Sequence, residues 1–111
     1  MNIGGTKVFP EDISFETQET KESNVSMVKT HHIKLREEFA DDVYDGRKNF
    51  EIRFNDRGYQ TGDFIQFKVI DKHNHPCTEY PLNHCLYEIT YVLNGFGLQD
   101  GYVVFGIKRC K

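Results

Sequence analysis

Lys48, Glu51 and Arg53 fall within six residues of one another, between Gly46 and an alternating apolar stretch. A guanidinium grips a phosphate or a planar base edge through two parallel hydrogen bonds, and an ammonium adds a point charge. A carboxylate between two such cations orients them, or accepts a hydrogen from a base amino group. Kept ionised by its neighbours, it is a poor acid and a usable base. The same triplet also reads as a surface ion-pair ladder, which contributes little to stability. The elements around it must decide between the two.

Phe50, Ile52 and Phe54 alternate with Glu51, Arg53 and Asn55, the period of a half-buried strand. The apolar set is expected to face the core, which leaves Glu51, Arg53 and Asn55 together on the other face, with Lys48 at the strand's mouth. Upstream, His31–Leu35 predicts a strand with Ile33 and Leu35 on one face. Arg36–Asp45 then predicts a helix, with Phe39, Ala40, Val43 and Tyr44 as its apolar stripe and Gly46 as its stop. Asn55-Asp56-Arg57-Gly58 is a turn that Asp56 closes through its own backbone. Strands follow at Phe64–Asp71, Leu86–Leu93 and Tyr102–Lys108, with a polar loop over Lys72–Cys85 that contains Pro76 and Pro81. One main helix among about five or six strands with short connections predicts an α+β fold: a small, closed or half-closed β-barrel, the helix plugging one end.

The chain has 111 residues, room for one domain, and 38% of them are apolar. Residues 1–29 have only scattered apolar positions (Ile3, Val8, Phe9, Ile13, Phe15). They are expected to form a flexible, mostly disordered arm, with room for a short strand around Ile13–Glu16. Residues 30–111 then make the folded unit. The net charge is −3. Residues 1–29 hold three lysines against five acids, and the remainder eleven cations against twelve acids. That balance excludes an indiscriminate nucleic-acid coat protein, so any polyanion site must be local. The start of the chain lacks a basic region followed by an apolar stretch, and no apolar run is long enough to span a membrane. Three cysteines (Cys77, Cys85, Cys110) cannot all pair within one chain, which favours free thiols and a cytoplasmic location.

Other candidates carry less. Arg57 is a possible ligand contact beside the turn residues Asn55 and Asp56. His31 either lines a cleft or satisfies a backbone group at the first strand. Tyr59, Tyr80, Tyr87, Tyr91 and Tyr102 offer rings of the kind that stack on single-stranded RNA bases. Tyr87 and Tyr91 share the period of Ile89 and Leu93 and are expected in the core, whereas Tyr102, just after Gly101, is a site candidate. His73, His75, Cys77, His84 and Cys85 lie within thirteen residues, but their spacing is not that of a zinc site. No metal and no cofactor are expected.

Gly46, Lys48, Glu51 and Arg53 occupy every fixed place of G-x-K-x-x-E-x-R, and here the chain resembles the ASCH domains of the PUA-like superfamily. His31-His32-Ile33-Lys34 is similar to the H-x-[LI]-K opening of a phage and bacterial branch of that group whose function is unknown. Asn55-Asp56-Arg57 with Gly62-Asp63, and Gly97-Leu98-Gln99-Asp100-Gly101-Tyr102-Val103-Val104, resemble that branch's N-D-R…G-D and G-L-x-x-G-Y-V-V segments. The resemblance covers about residues 31–109. It implies a PUA-like β-barrel with a cleft where the motif residues gather, and RNA as the ligand. Some ASCH proteins are enzymes, including a ribonuclease and an amidohydrolase acting on acetylcytidine. In that amidohydrolase the motif lysine works with a threonine three residues on. Here Lys48 is kept but Glu51 stands in the threonine's place, and a carboxylate cannot do a hydroxyl's work unchanged.

The leading expectation is therefore an RNA- or nucleotide-binding module, monomeric, with Lys48, Glu51 and Arg53 at the centre of its site and Arg57, His31 and Tyr102 as further contacts. The alternatives are an enzyme on a nucleoside or RNA, with Lys48 and Glu51 as its catalytic pair, or a protein-interaction module of phage or mobile-element origin.

Overall fold

Alternation governs the first strand, β1 (Thr30–Arg36), where His31, Ile33 and Leu35 are buried while His32, Lys34 and Arg36 face outward. The computed structural model describes residues 27–111. The expected arm over residues 1–29, including its short strand, lies almost wholly outside the described residues. After β1 the chain makes a 3-10 turn (Glu37–Phe39) and a short helix, α1 (Ala40–Tyr44). The apolar stripe read over 36–45 is thus split between two elements. Ala40 and Val43 are buried, whereas Phe39 and Tyr44 remain about one-third exposed. Gly46 closes the helix with φ of 85°, its N–H donating to the Val43 carbonyl at 3.1 Å.

The remaining strands are β2 (Phe50–Phe54), β3 (Phe64–Ile70), β4 (Leu86–Asn94) and β5 (Tyr102–Arg109). They form one curled five-stranded sheet in the order β1-β3-β4-β5-β2. β1 and β3 run parallel, and the other three pairings are antiparallel. The concave side carries a single core: Ile33 and Leu35 from β1, Ile65, Phe67 and Val69 from β3, Tyr87 and Ile89 from β4, and Val103, Phe105 and Ile107 from β5. The result is a small α+β half-barrel whose free edges are β1 and β2. Among the described residues no helix is long and apolar enough to cross a membrane.

Two readings of face are reversed. On β2 it is Glu51 that is buried, while Phe50, Ile52 and Phe54 lie exposed on the convex side. The register explains why: Glu51 pairs with buried Phe105 and Arg53 with buried Val103, so these two charged residues take the inward parity. On β4 a bulge between Ile89 and Tyr91 shifts the parity. Tyr87 stays in the core, but Tyr91 is turned out, 65% exposed. Tyr91 and Leu93 of β4, and Tyr102 and Val104 of β5, thereby join Phe50, Ile52 and Phe54 on one apolar outer face. Gly101 sits under this face. A Cβ there would lie 2.5 Å from the Phe54 ring, and its φ of 85° also favours glycine.

Ile52 tests the reversal. At 52% exposure, Ile52→Lys is expected to change the unfolding free energy by no more than about 0.5 kcal/mol. A core isoleucine would lose about 2–5 kcal/mol on truncation. Urea denaturation separates the two.

Candidate functional site

The gap between the two free edges is where the charged residues gather. β1 and β2, the two free edges, share no backbone ladder, and the Arg53 side chain crosses the seam instead, its Nη2 donating to the Lys34 carbonyl at 2.7 Å. Arg53 also donates from Nε to Glu51 Oε1 at 2.9 Å. Lys48 Nζ donates to Glu51 Oε2 and, at 3.0 Å, to the Phe50 carbonyl. The Glu51 side chain is only 3% exposed, against 21% for Lys48 and 26% for Arg53. A carboxylate buried this deeply is tolerable only because both oxygens are paired with cations.

The donor count shows what remains for a ligand. Glu51 has both oxygens engaged and lies buried, so an incoming ligand meets the cations before the carboxylate. Arg53 spends Nε and Nη2 on protein, and among the described residues Nη1 has no protein partner. Lys48 has three N–H donors and uses two. Its ammonium lies 5.4 Å from the Phe39 ring centroid and 5.1 Å from that of Phe50, within cation–π range. These groups line a cleft of about 380 Å³, together with Lys34, Leu35, Arg36 and Ile52.

Lys34, Arg36 and Phe39 were not read as site residues in the sequence, although the K-x-R alternation in β1 does place two cations on one face. What was missing was the non-local seam that brings β1 against β2.

The other candidates lie elsewhere. His31 is buried on the concave side, where its Nε2 lies 2.8 Å from Asp63 Oδ2. An ionised aspartate only accepts, so Nε2 carries the proton in this pair. Asp63 also accepts from the backbone N–H of Gln60 at 3.1 Å and of Lys29 at 3.3 Å. The pair is a structural pin joining the start of β1 to the start of β3, and it does not line the cleft. The Tyr59 ring stacks between His31 and Phe105, at 4.8 and 4.7 Å, and burial pushes its phenol up.

Tyr102 packs edge-on against Phe54 at 5.5 Å on the outer face, opposite in parity to Arg53. Arg57 is exposed in the turn. That turn is closed by Asn55 rather than Asp56: Asn55 Oδ1 accepts from the Tyr59 N–H at 2.9 Å. The sequence cluster Lys48, Glu51 and Arg53 is therefore brought together, while His31 and Tyr102 sit outside its cleft.

In the 72–85 loop, Asp71 Oδ1 accepts from the N–H groups of His73 and His75 at 2.8 and 2.9 Å. These hydrogen bonds hold the Asp71 carboxyl below its usual range. Among the described residues no three His, Cys, Asp or Glu side chains converge as metal ligands would. All three cysteines are unpaired. Burial, followed by the nearby Glu37 carboxylate, pushes the Cys77 thiol up, the opposite of what a nucleophile needs.

Among known families, the model described as "Domain of unknown function (DUF3850)" matches residues 30–107. The match begins at the first residue of β1 and ends within β5, so it takes in both edges of the seam. No curated protein gives a significant match.

Proposed function

The chain belongs to the DUF3850 family, and on that premise we propose that its domain binds RNA by holding a nucleotide in the cleft between β1 and β2. The observation that carries this reading is the cleft's composition. Four cations (Lys34, Arg36, Lys48, Arg53) line it; the one lining carboxylate, Glu51, is spent on two of them, and Glu38 beside the cleft pairs with exposed Arg36 at 2.8 Å, which leaves an excess of two positive charges. In a chain of net charge −3, this is a local excess suited to an anion. Half-exposed Phe39 and Phe50 add ring faces for a base, so phosphate and base contacts meet in one place. The resemblance of Gly46, Lys48, Glu51 and Arg53 to the ASCH signature points the same way by analogy, including to a PUA-like relation of the half-barrel.

The geometry favours binding over acid–base catalysis, because the Glu51 carboxylate is only 3% exposed, beneath the two cations it pairs with. Titration with mononucleotides and short ribo-oligonucleotides tests the reading. Arg53→Gln and, separately, Arg36→Gln are each expected to weaken binding by about tenfold, the value of one lost charge-assisted hydrogen bond. Arg36 is an exposed residue of β1, so its substitution leaves the core intact. Unchanged affinity in both variants would show that this cleft is not the site.

A further inference from the structure

The convex face of β1 and β3 carries a feature that folding does not explain. Lys34 and Lys68 are register partners on these adjacent parallel strands, and both side chains are exposed on the same face. Like charges directly across a strand pair destabilise it. The Lys34 ammonium donates to the neutral Asn74 Oδ1 at 3.1 Å, and among the described residues neither lysine has an acidic partner.

A cavity lies on each side of this pair. Lys34 borders the seam cleft of about 380 Å³. Lys68 borders a second groove of about 470 Å³, under the 72–85 loop, with His32, Gln66, Thr78, Asn83 and His84. Both volumes fall in the range of small-ligand sites. The second groove is equipped for a base. His32 and His84 supply exposed rings. Gln66 donates its amide N–H to the Asn83 carbonyl at 3.2 Å and keeps Oε1 as an acceptor. The Asn83 amide holds the groove's wall in place, accepting from the Val69 N–H at 2.8 Å and donating to the Cys77 carbonyl at 2.7 Å.

We infer that the ligand is a single-stranded oligonucleotide that spans both cavities, with a phosphodiester over the Lys34–Lys68 pair and a base in each cavity. This rests on the nucleotide reading of the seam cleft and extends it from one nucleotide to a short strand. His32 and Arg36, which mark the two cavities along β1, are four residues apart, or about 13 Å of extended chain. That is a span for a few nucleotides rather than one. An anion over the two lysines also relieves their repulsion, so bound phosphate stabilises what the free protein strains.

The test compares a mononucleotide, a trinucleotide, and the same trinucleotide with uncharged methylphosphonate linkages, all titrated into the full chain. The trinucleotide is expected to bind about tenfold or more tighter than the mononucleotide, since two linked contacts act together. The methylphosphonate version is expected to lose that gain. Lys68→Gln is expected to remove most of the gain as well, and to lower the salt dependence of trinucleotide binding by about 0.7 in log–log slope. Ribose and deoxyribose trinucleotides identify which nucleic acid is held, and the proposal stands with either. Equal binding of the charged and uncharged trinucleotides, or no effect of Lys68→Gln, overturns the bridge while leaving the cleft reading intact. Mononucleotide binding that survives Arg53→Gln and Arg36→Gln is the separate failure of the cleft. Absence of trinucleotide binding at low salt overturns both.

Discussion

Glu51→Ala is expected to destabilise the fold by about 2–4 kcal/mol, a loss at the level seen when one partner of a buried ion pair is removed. Glu51 is nearly fully buried and holds both Lys48 and Arg53. Without it, two cations with limited access to water face each other across the seam. Arg53 also loses the carboxylate that aims it at the Lys34 carbonyl, which is the bond joining the free edges of the half-barrel. The lower end of the range reflects the residual exposure of both cations, which lets water take over part of the carboxylate's role.

In a domain of this size such a loss lowers the melting midpoint by on the order of 10 °C. Calorimetry and urea denaturation at neutral pH both read it. Replacing all three together, Glu51→Leu with Lys48→Met and Arg53→Met, is expected to recover most of the stability, because apolar groups of similar volume often match a buried ion cluster. Nucleotide binding is expected to stay lost in that triple variant. A Glu51→Ala protein that melts within a degree of the parent would mean the carboxylate is not buried between its cations.

Asp63→Ala is the second large effect, also expected at about 2–4 kcal/mol. Its carboxylate accepts from the buried His31 ring and from two backbone N–H groups, those of Lys29 and Gln60. Alanine leaves the imidazole N–H without its partner in a buried place, and it frees the entry to both parallel strands. Asp63→Asn keeps one acceptor oxygen and is expected to recover about half of the loss. Hydrogen exchange locates the damage. Amides at the start of β1 and in the turn before β3 should lose protection well before those of β4 and β5, which are paired on both sides in the interior of the sheet. Uniform loss of protection, or none, contradicts the role of a local pin.

Much of the fold was legible because strand period and turn chemistry are local properties. All five strands lie within a residue or two of where alternation placed them. The glycine at 46 stopped a helical segment as its conformational freedom requires. The helix itself was harder to bound, since a 3-10 turn and an α-helical turn share much of one apolar stripe. Membership of one sheet was legible too, from short connections and the absence of a second helical pattern. The burial of Tyr91 was misread because a bulge adds a residue to one strand without any mark in the apolar pattern.

The motif Lys48, Glu51 and Arg53 stood out by residue type and spacing alone, and so did the chance that its charges work together. Which way the strand faces did not. A period of two defines two faces and says nothing of which one turns inward, and the rule that apolar residues go inside fails when a carboxylate arrives with two cations to neutralise it. Tertiary structure decided that question by closing the seam. Arg53 reaches a carbonyl of β1, nineteen residues away in the chain, and pulls Glu51 beneath it. Phe50, Ile52 and Phe54 are left outside. The same closure brought Lys34 and Arg36 to the cleft, since their place there depends on a contact between two strands that are neighbours only across the open edge of the sheet.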